Sequence, residues 1–275
     1  MKGGRRVRQL LLHLVLLAGA VATLIPLVWM VSASLMRPGE ASEFPPPFFP
    51  SRATLSNYRD LFGRLSLGRA FANSLLVSAL ATFGVLLLNS MAGYAFAKLR
   101  FPGRDRLFGA LMAALVIPAP VAMLPLFLMM RSAGLVNSYL GAALPPMAGI
   151  IGVFLIRQFA RSIPDDLLDA ARLEGAGEFW IYWKIVLPLL RPVLATLAIV
   201  TFLATWNDFI WPLVILTDES RYTLPVALAG LVGEHSADLE LMMAGSVLTV
   251  LPVLALFLLL QRQYIEGITL GGVKE

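Results

Sequence analysis

Six stretches of this chain, at 10–35, 71–97, 107–130, 139–156, 193–216 and 241–260, carry at most one charged side chain each. A helix needs about 20 apolar residues to cross the hydrocarbon core of a bilayer, and these stretches have that length. Lipid offers no partner to a backbone N–H or C=O, so an open strand cannot cross it and each stretch has to be helical. Only 14% of the 275 residues are charged, against about 25% in soluble domains. The expected fold class is all-α: a polytopic membrane protein with six transmembrane helices, forming one transmembrane domain over 1–275.

The polar segments between the stretches set direction. Fifteen of the 22 Lys and Arg fall on the side that holds both termini and the 157–192 loop, and seven fall on the other. Cytoplasmic segments carry the excess of Lys and Arg. Both termini and that loop are therefore expected inside, with the chain in the cytoplasmic membrane. The same asymmetry accounts for the net charge of +5 without any nucleic acid partner. The first stretch begins like a signal peptide, with Lys2, Arg5, Arg6 and Arg8. Its apolar core exceeds the roughly 7–15 residues of such a segment, so it is read as a retained helix.

On the far side, Pro45, Pro46 and Pro47 stiffen the 36–69 loop, and a helix start is predicted with Ser56 or Asn57 as its cap. The 131–138 segment is a turn around Gly134. The 217–240 segment is acidic, with Asp218, Glu219, Glu234, Asp238 and Glu240 against Arg221 alone; it is either a solvated connector or a docking surface. Prolines 118, 120 and 125 stand inside the third stretch as potential bending points.

Several chemistries are missing. The chain has no cysteine, which excludes disulfides, thiol catalysis and cysteine metal sites. None of its four lysines follows a glycine, so it lacks the backbone cradle and lysine of a P-loop. His13 and His235 are isolated, and His235 is read as solvated. No catalytic or metal-binding constellation is readable, and the chain is expected not to be an enzyme. Within the stretches, Asn207 and Asp208 are the main polar group. An ionisable residue at membrane depth is a functional candidate, but interhelical hydrogen bonding, worth about 0.6–2 kcal/mol, is a sufficient structural reason. Pathway lining and structural bonding both stay open for Asn207 and Asp208, and likewise for Asn89 and Tyr94.

The 157–192 loop is long and helix-patterned. Ser162 can cap a helix, Pro164 is tolerated in a first turn, and Asp165 and Asp166 suit its positive end. Leu167, Leu168, Ala171 and Leu173 form an apolar stripe. Gly175 and Gly177 end the helix, since glycine readily takes left-handed geometry. A second helix is predicted from Glu178 to Leu187, with Phe179, Tyr182, Trp183 and Val186 on one face, and Pro188 breaks it before the fifth stretch. By physics alone this pair of short helices is equally an amphipathic interfacial element or a docking element.

Asp169-Ala170-Ala171, three residues, Gly175, nine residues, then Ile185, Leu187 and Pro188 resembles the EAA loop of ABC importer permeases, with Asp at the position usually held by Glu. Asn73-Ser74-Leu75, Ala92-Gly93-Tyr94-Ala95, Arg100-Phe101-Pro102-Gly103, Arg157-Gln158-Phe159 and Trp206-Asn207-Asp208-Phe209 resemble the carbohydrate-uptake branch. Within it the chain is similar to the smaller, six-span permease subunit of the maltose-transporter type, from about residue 10 to the tail Gly271-Gly272-Val273-Lys274. The resemblance implies an ABC type I importer permease fold with a cytoplasmic coupling-helix loop at 162–188. It further implies a second permease subunit, two copies of a cytoplasmic ABC ATPase, an extracytoplasmic solute-binding protein and a sugar substrate. ATP would be bound by the ATPase partners, leaving no cofactor on this chain.

On the same resemblance, Asp169 would pair with a basic group of the ATPase or cap its local helix. The tail would contact the ATPase pair, and 217–240 would reach the binding protein. The larger partner permease would make most of the sugar contacts. A polyol phosphate such as glycerol-3-phosphate remains an alternative solute. A stand-alone ion-coupled carrier is the competing class. Such carriers place ionisable residues between inverted repeats, whereas this chain shows one intramembrane acid and no obvious repeat.

Overall fold

The computed structural model describes residues 2–63, 67–234 and 238–272, without the side chains of 2–8, 119, 231–234 and 260–272. The expectations for His235 and for the tail residues Val273 and Lys274 lie outside the described residues, as does that for the Glu234 side chain. Among the described residues the regular structure is helical throughout. Three helices are long and apolar enough to cross a membrane, over Gln9–Ser34, Leu67–Lys98 and Leu239–Leu259. They belong to α1 (Lys2–Ser34), α3 (Leu67–Lys98) and α14 (Leu239–Gly272), with the short α2 (Ser56–Gly63) between the first two and α13 (Leu224–Glu234) preceding the last in sequence.

Two more candidates are bent. The helices α6 (Tyr139–Met147) and α7 (Ile150–Arg161) meet at 44°, and the segment Glu178–Leu189 meets α11 (Arg191–Trp206) at 77°. Counting each bent pair as one span gives up to five. The 107–130 stretch is not one helix. It divides into the end of α4 (Arg104–Ala114) and most of α5 (Ala119–Ser132), with Pro118 extended at the boundary, ψ 134°. Proline cannot donate to the preceding turn and forces the residue before it out of helical geometry. Six spans therefore remain an expectation of the sequence, which three long helices and two bent pairs do not by themselves reach.

The chain divides into two compact units. The first comprises Met1–Gly68 and Leu228–Pro252. Its small core is Ala33, Met36 and Ala41, covered by Trp29, Leu239 and Met243. Buried acids tie its turns together. The Glu240 carboxylate accepts the Ala41 amide at 2.6 Å. The Glu40 carboxylate accepts the amides of Arg37 and Ser51 at 3.0 and 2.5 Å, and these bonds hold its carboxyl below the usual range. Asn57 does not cap α2. Its side-chain amide donates to the carbonyls of Ser34 and Met36 at 2.9 and 2.8 Å, and the Thr54 hydroxyl takes the Ser56 amide instead.

The second unit comprises Arg69–Ala227 and Val253–Glu275, and α3 is its organising element. Near one end of α3, Asn73 donates to the carbonyls of Ser220 and Tyr222, both at 3.0 Å, and accepts the Tyr139 hydroxyl. The neighbouring Ser74 hydroxyl accepts the Leu224 amide at 2.7 Å. The start of the acidic 217–240 segment is thereby fixed as a built turn. Asn137 supports it from the other side, its side-chain oxygen accepting the amides of Thr217 and Asp218 at 3.2 Å each. Gly134 turns the chain after α5 with φ +69°.

Further along α3, the helix backbones come close. A Cβ on Gly93 would lie 2.5 Å from Ile156 Cγ2 and 3.0 Å from the Arg157 amide nitrogen. A Cβ on Gly84 would overlap the Met147 side chain at Sδ. The two contacts differ in kind. Methionine is flexible and can move aside, whereas a β-branched Cβ and a helical backbone cannot. Gly93→Ala is expected to destabilise the chain by about 1–3 kcal/mol, the usual cost of overpacking, and Gly84→Ala by clearly less. Thermal unfolding of the detergent-solubilised variants checks the order.

Candidate functional site

The site is built from the end of α3 and the loop that follows α7. Ser162 does not start the next helix. Its hydroxyl bonds back to the Phe159 carbonyl at 2.7 Å and finishes α7. Pro164 holds the position before α8 (Asp165–Leu173), with no side-chain cap. The start of α8 is fixed from outside. Lys98, the last residue of α3, puts its ammonium 2.6 Å from Asp165 Oδ1 and 2.5 Å from the Ile163 carbonyl. The Lys98 side chain is buried while that of Asp165 is exposed. The hydrogen bond and charge of Lys98 hold the Asp165 carboxyl below its ordinary range.

One turn along α8, Leu168 is fully buried in a core with Ile156, Ile181, Tyr182 and Val186. The predicted apolar stripe is nevertheless incomplete, because Leu167 is exposed and Leu173 is 90% exposed at the far end of the helix.

The helix ends in a complete Schellman motif. The Ala176 amide reaches back to the Ala171 carbonyl and the Gly175 amide to the Arg172 carbonyl, each at 3.0 Å, with Gly175 left-handed at φ +86°. Nothing lies within 4 Å of a Cβ built on Gly175, so glycine is required by the backbone and not by space. Gly177 is different: its φ of −75° is open to any residue, and it begins the next helix.

Arg172 staples the bend. Its guanidinium donates to Asp169 Oδ1 at 2.7 Å on its own helix and to both Glu178 oxygens, at 2.7 and 3.3 Å, across the bend. The Tyr94 hydroxyl of α3 donates to Glu178 Oε2 at 2.7 Å. Arg172 first, and the Tyr94 hydroxyl with it, holds the Glu178 carboxyl below its ordinary value of 4.5. Asp169 sits inside the helix and caps neither end, and its side chain is 62% exposed. Together with Lys98, Arg100 and Arg104, these carboxylates line an open polar hollow of about 780 Å³.

The second helix departs from its predicted pattern. It runs as α9 (Glu178–Ile181), a π-turn over Tyr182–Val186, and α10 (Leu187–Leu189). The Leu187 amide bonds to the Tyr182 carbonyl, five residues back. Pro188 has no amide hydrogen to offer the Lys184 carbonyl, and the wider turn accommodates that loss. The extra residue in the turn rotates the side chains. Ile181, Tyr182 and Val186 are buried, while Phe179, Trp180 and Trp183 are exposed, so the four residues expected on one face are divided between two. Pro188 lies within the helix and does not break it; the 77° bend comes at Leu190. Ile185 and Leu187 are half-buried against the core, as is Ala171, and Ala170 is exposed. The buried Tyr182 hydroxyl shares a 2.7 Å hydrogen bond with the Ser90 hydroxyl, and burial raises its pKa.

The four residues considered for a pathway all bond within this chain. The buried Asn89 donates to the Gly149 carbonyl at 3.0 Å, at the break between α6 and α7. Tyr94 is engaged by Glu178. Asn207, exposed after α11, donates to the Leu203 carbonyl at 2.9 Å. Asp208 accepts the Trp211 amide at 3.3 Å and so begins α12 (Ile210–Ile215). Sequence reasoning passed over Arg172, Glu178 and Lys98. The three-residue spacing of Asp169 and Arg172 was a signal for one pair, but the links to Tyr94 and Lys98 exist only once α3 is packed beside the loop. No cluster of metal-ligating side chains occurs among the described residues.

Bilayer-length apolar helices with a stapled, partly apolar surface loop define a helical protein suited to a membrane. The family model for the binding-protein-dependent transport system inner membrane component matches residues 87–268, and the chain belongs to that family. It is 42% identical, over 82% of each chain, to the arabinooligosaccharides transport system permease protein AraQ of Halalkalibacterium halodurans. It is 30% identical to the sn-glycerol-3-phosphate transport system permease protein UgpE of Yersinia enterocolitica, covering 96% of this chain and 97% of that one. Among solved structures, a bacterial ABC transporter involved in import of the acidic polysaccharide alginate superposes with a TM-score of 0.81. It shares 25% identity and covers 94% of this chain and 97% of that one. The chain is thus an importer permease.

The staple has a pH signature. A carboxyl depressed on folding stabilises above its unfolded value and loses that contribution as pH falls through the folded one. After correction for intrinsic rates, amide hydrogen exchange over 172–181 is expected to be protected at neutral pH. It should speed up as the pH drops below the ordinary carboxylate range, about 4. In Arg172→Gln the protection at neutral pH should be reduced and the pH response flattened.

Proposed function

We propose that this permease imports a saccharide, driven by a separate ATPase that grips the 162–188 loop. The observation that carries the reading is Leu173, 90% exposed at the tip of α8. The other end of that helix is fixed to α3 through Lys98 and Asp165, and the bend beyond Leu173 is stapled by Arg172. A large apolar side chain held in water on a stiff support is what a partner cleft can bury. Phe179, Trp180 and Trp183 extend that exposed apolar surface.

In this reading Asp169, Ala170, Ala171 and Gly175 shape the seated helix, while Ile185, Leu187 and Pro188 carry its movement towards α11. Asp169 already holds Arg172 and presents its outer face to a basic group of the ATPase. The partners are a second permease subunit, two ATPase copies and an extracytoplasmic binding protein. The binding protein is supported by the family's own description. ATP belongs to the ATPase subunits, and this chain supplies no catalytic group. The fifteen-to-seven distribution of basic residues supports placing the loop and both termini on the cytoplasmic side of the inner membrane. The hydrogen bonds of Asn89 and Tyr94 favour structural support over pathway lining, with solute contact left mainly to the partner permease.

A saccharide is preferred to a polyol phosphate because the arabinooligosaccharide permease is more similar than the glycerol-3-phosphate permease, 42% against 30% identical. The polysaccharide importer adds support at the level of structure. Family membership leaves no ground for the ion-coupled carrier.

Leu173→Glu is expected to abolish co-purification of the ATPase and solute uptake while leaving the permease folded in the membrane. Retained ATPase association with normal uptake would overturn the docking role. A Cβ at Gly175 meets nothing within 4 Å, so Gly175→Val acts chiefly through left-handed strain of about 1–2 kcal/mol. It should lower uptake per ATP hydrolysed. Thermal-shift screening of the cognate binding protein against arabino-, galacto- and gluco-oligosaccharides and glycerol 3-phosphate identifies the solute. Stabilisation by glycerol 3-phosphate alone would replace the saccharide reading.

A further inference from the structure

In the first unit, the segment after α1 folds back along the helix it has just left. The Trp29 indole donates to the Pro47 carbonyl at 3.2 Å, and the Ser32 hydroxyl donates to the Phe48 carbonyl at 2.6 Å. Trp29 and Ser32 stand five and two residues before the end of α1 at Ser34. At 1.5 Å per residue, the Pro47–Phe48 backbone is held roughly 3–8 Å below the helix end, back towards the bilayer. The attachment is rigid. The three successive prolines limit the backbone, and the Glu40 carboxylate closes the segment by accepting the Arg37 and Ser51 amides. The side chains carried on this support are nevertheless apolar and open. Phe44 is 99% exposed and Phe49 70%, and Phe48 packs edge-on against Phe49 with ring centroids 5.1 Å apart.

We propose that residues 44–49 form a membrane-interface anchor, with Phe44, Phe48 and Phe49 inserted among the lipid headgroups and upper acyl chains where α1 ends. The setback of the segment matches the roughly 5–10 Å to which apolar faces of interfacial elements are buried. Lipid is the occupant because the segment is bonded alongside a helix that is exposed from Gln9 to Val28 and becomes buried only at its end, at Ser32, Ala33 and Ser34. The flanking residues Glu43 and Arg52 are exposed charges suited to the headgroup layer. This inference rests on membrane embedding alone and is independent of the coupling role proposed for the 162–188 loop.

The chain has no cysteine, so single spin labels can be introduced at Phe44→Cys, Phe49→Cys and, as an exposed reference, Glu219→Cys. The measurement is made on the assembled importer, with cysteine-free partners, in nanodiscs of phosphatidylethanolamine and phosphatidylglycerol. The ratio of collision with oxygen to collision with a water-soluble nickel chelate is expected to exceed one at 44 and 49 and to fall below one at 219. A ratio below one at both phenylalanine positions would overturn the anchor. So would protection from both reagents, with or without added binding protein, since it would place protein over the phenylalanines.

Discussion

Short helices in water flex readily, and the 162–188 loop is held against that by a few contacts. The stiffness of this loop comes from the Arg172 guanidinium, whose planar fork faces carboxylates on both sides of the Gly175 bend. Without it the bend would be held by the Schellman hydrogen bonds and the apolar contacts beneath, with no ionic link across it. With it, Asp169, Arg172, Glu178 and Tyr94 form one chain of polar contacts from the middle of α8 to α3. The buried side chains beneath, Leu168, Ile181 and Val186, then have a fixed platform to fill.

The energetics separate geometry from stability. Exposed ion pairs are worth about 0–1 kcal/mol, and Asp165, Asp169 and Glu178 all keep substantial exposure. The staple therefore contributes little to whether the chain folds. Apolar burial provides the larger share, through residues such as Leu168 and Val186, with full burial of a leucine or valine side chain worth about 1.5–3 kcal/mol. The polar contacts select one angle between α8 and the helix that follows. Their effect is thus on position more than on stability.

The sequence was most legible where one physical demand acts alone. Unbroken apolar length marked α1, α3 and α14. The required left-handed backbone marked Gly175. It was least legible where two demands compete. Prolines 118 and 120 were visible, yet whether they bend or divide the 107–130 stretch depends on packing that the sequence does not display. The face assigned to Phe179, Tyr182, Trp183 and Val186 assumed 3.6 residues per turn, and a π-turn ahead of Pro188 changed the count. Asn57 reads locally as a cap, but carbonyls more than twenty residues earlier claim its amide. Lys98 and Tyr94 stand about seventy to eighty residues before their carboxylate partners, beyond any local pattern.

The helix α3 is free of proline from end to end, unlike α1, α5, α6, α11 and α14. Asn73 and Ser74 fasten the turn at 217–224 near one end, and Tyr94 and Lys98 fasten the charged loop near the other. Twenty-five residues separate Asn73 from Lys98, roughly 37 Å of helix, more than a hydrocarbon core is thick. The two sets of hydrogen bonds are thus joined by a single tie-rod without a hinge. A displacement at one end of such a rod is carried to the other in register, whereas α5 and α6 of the same unit carry prolines inside them and can bend.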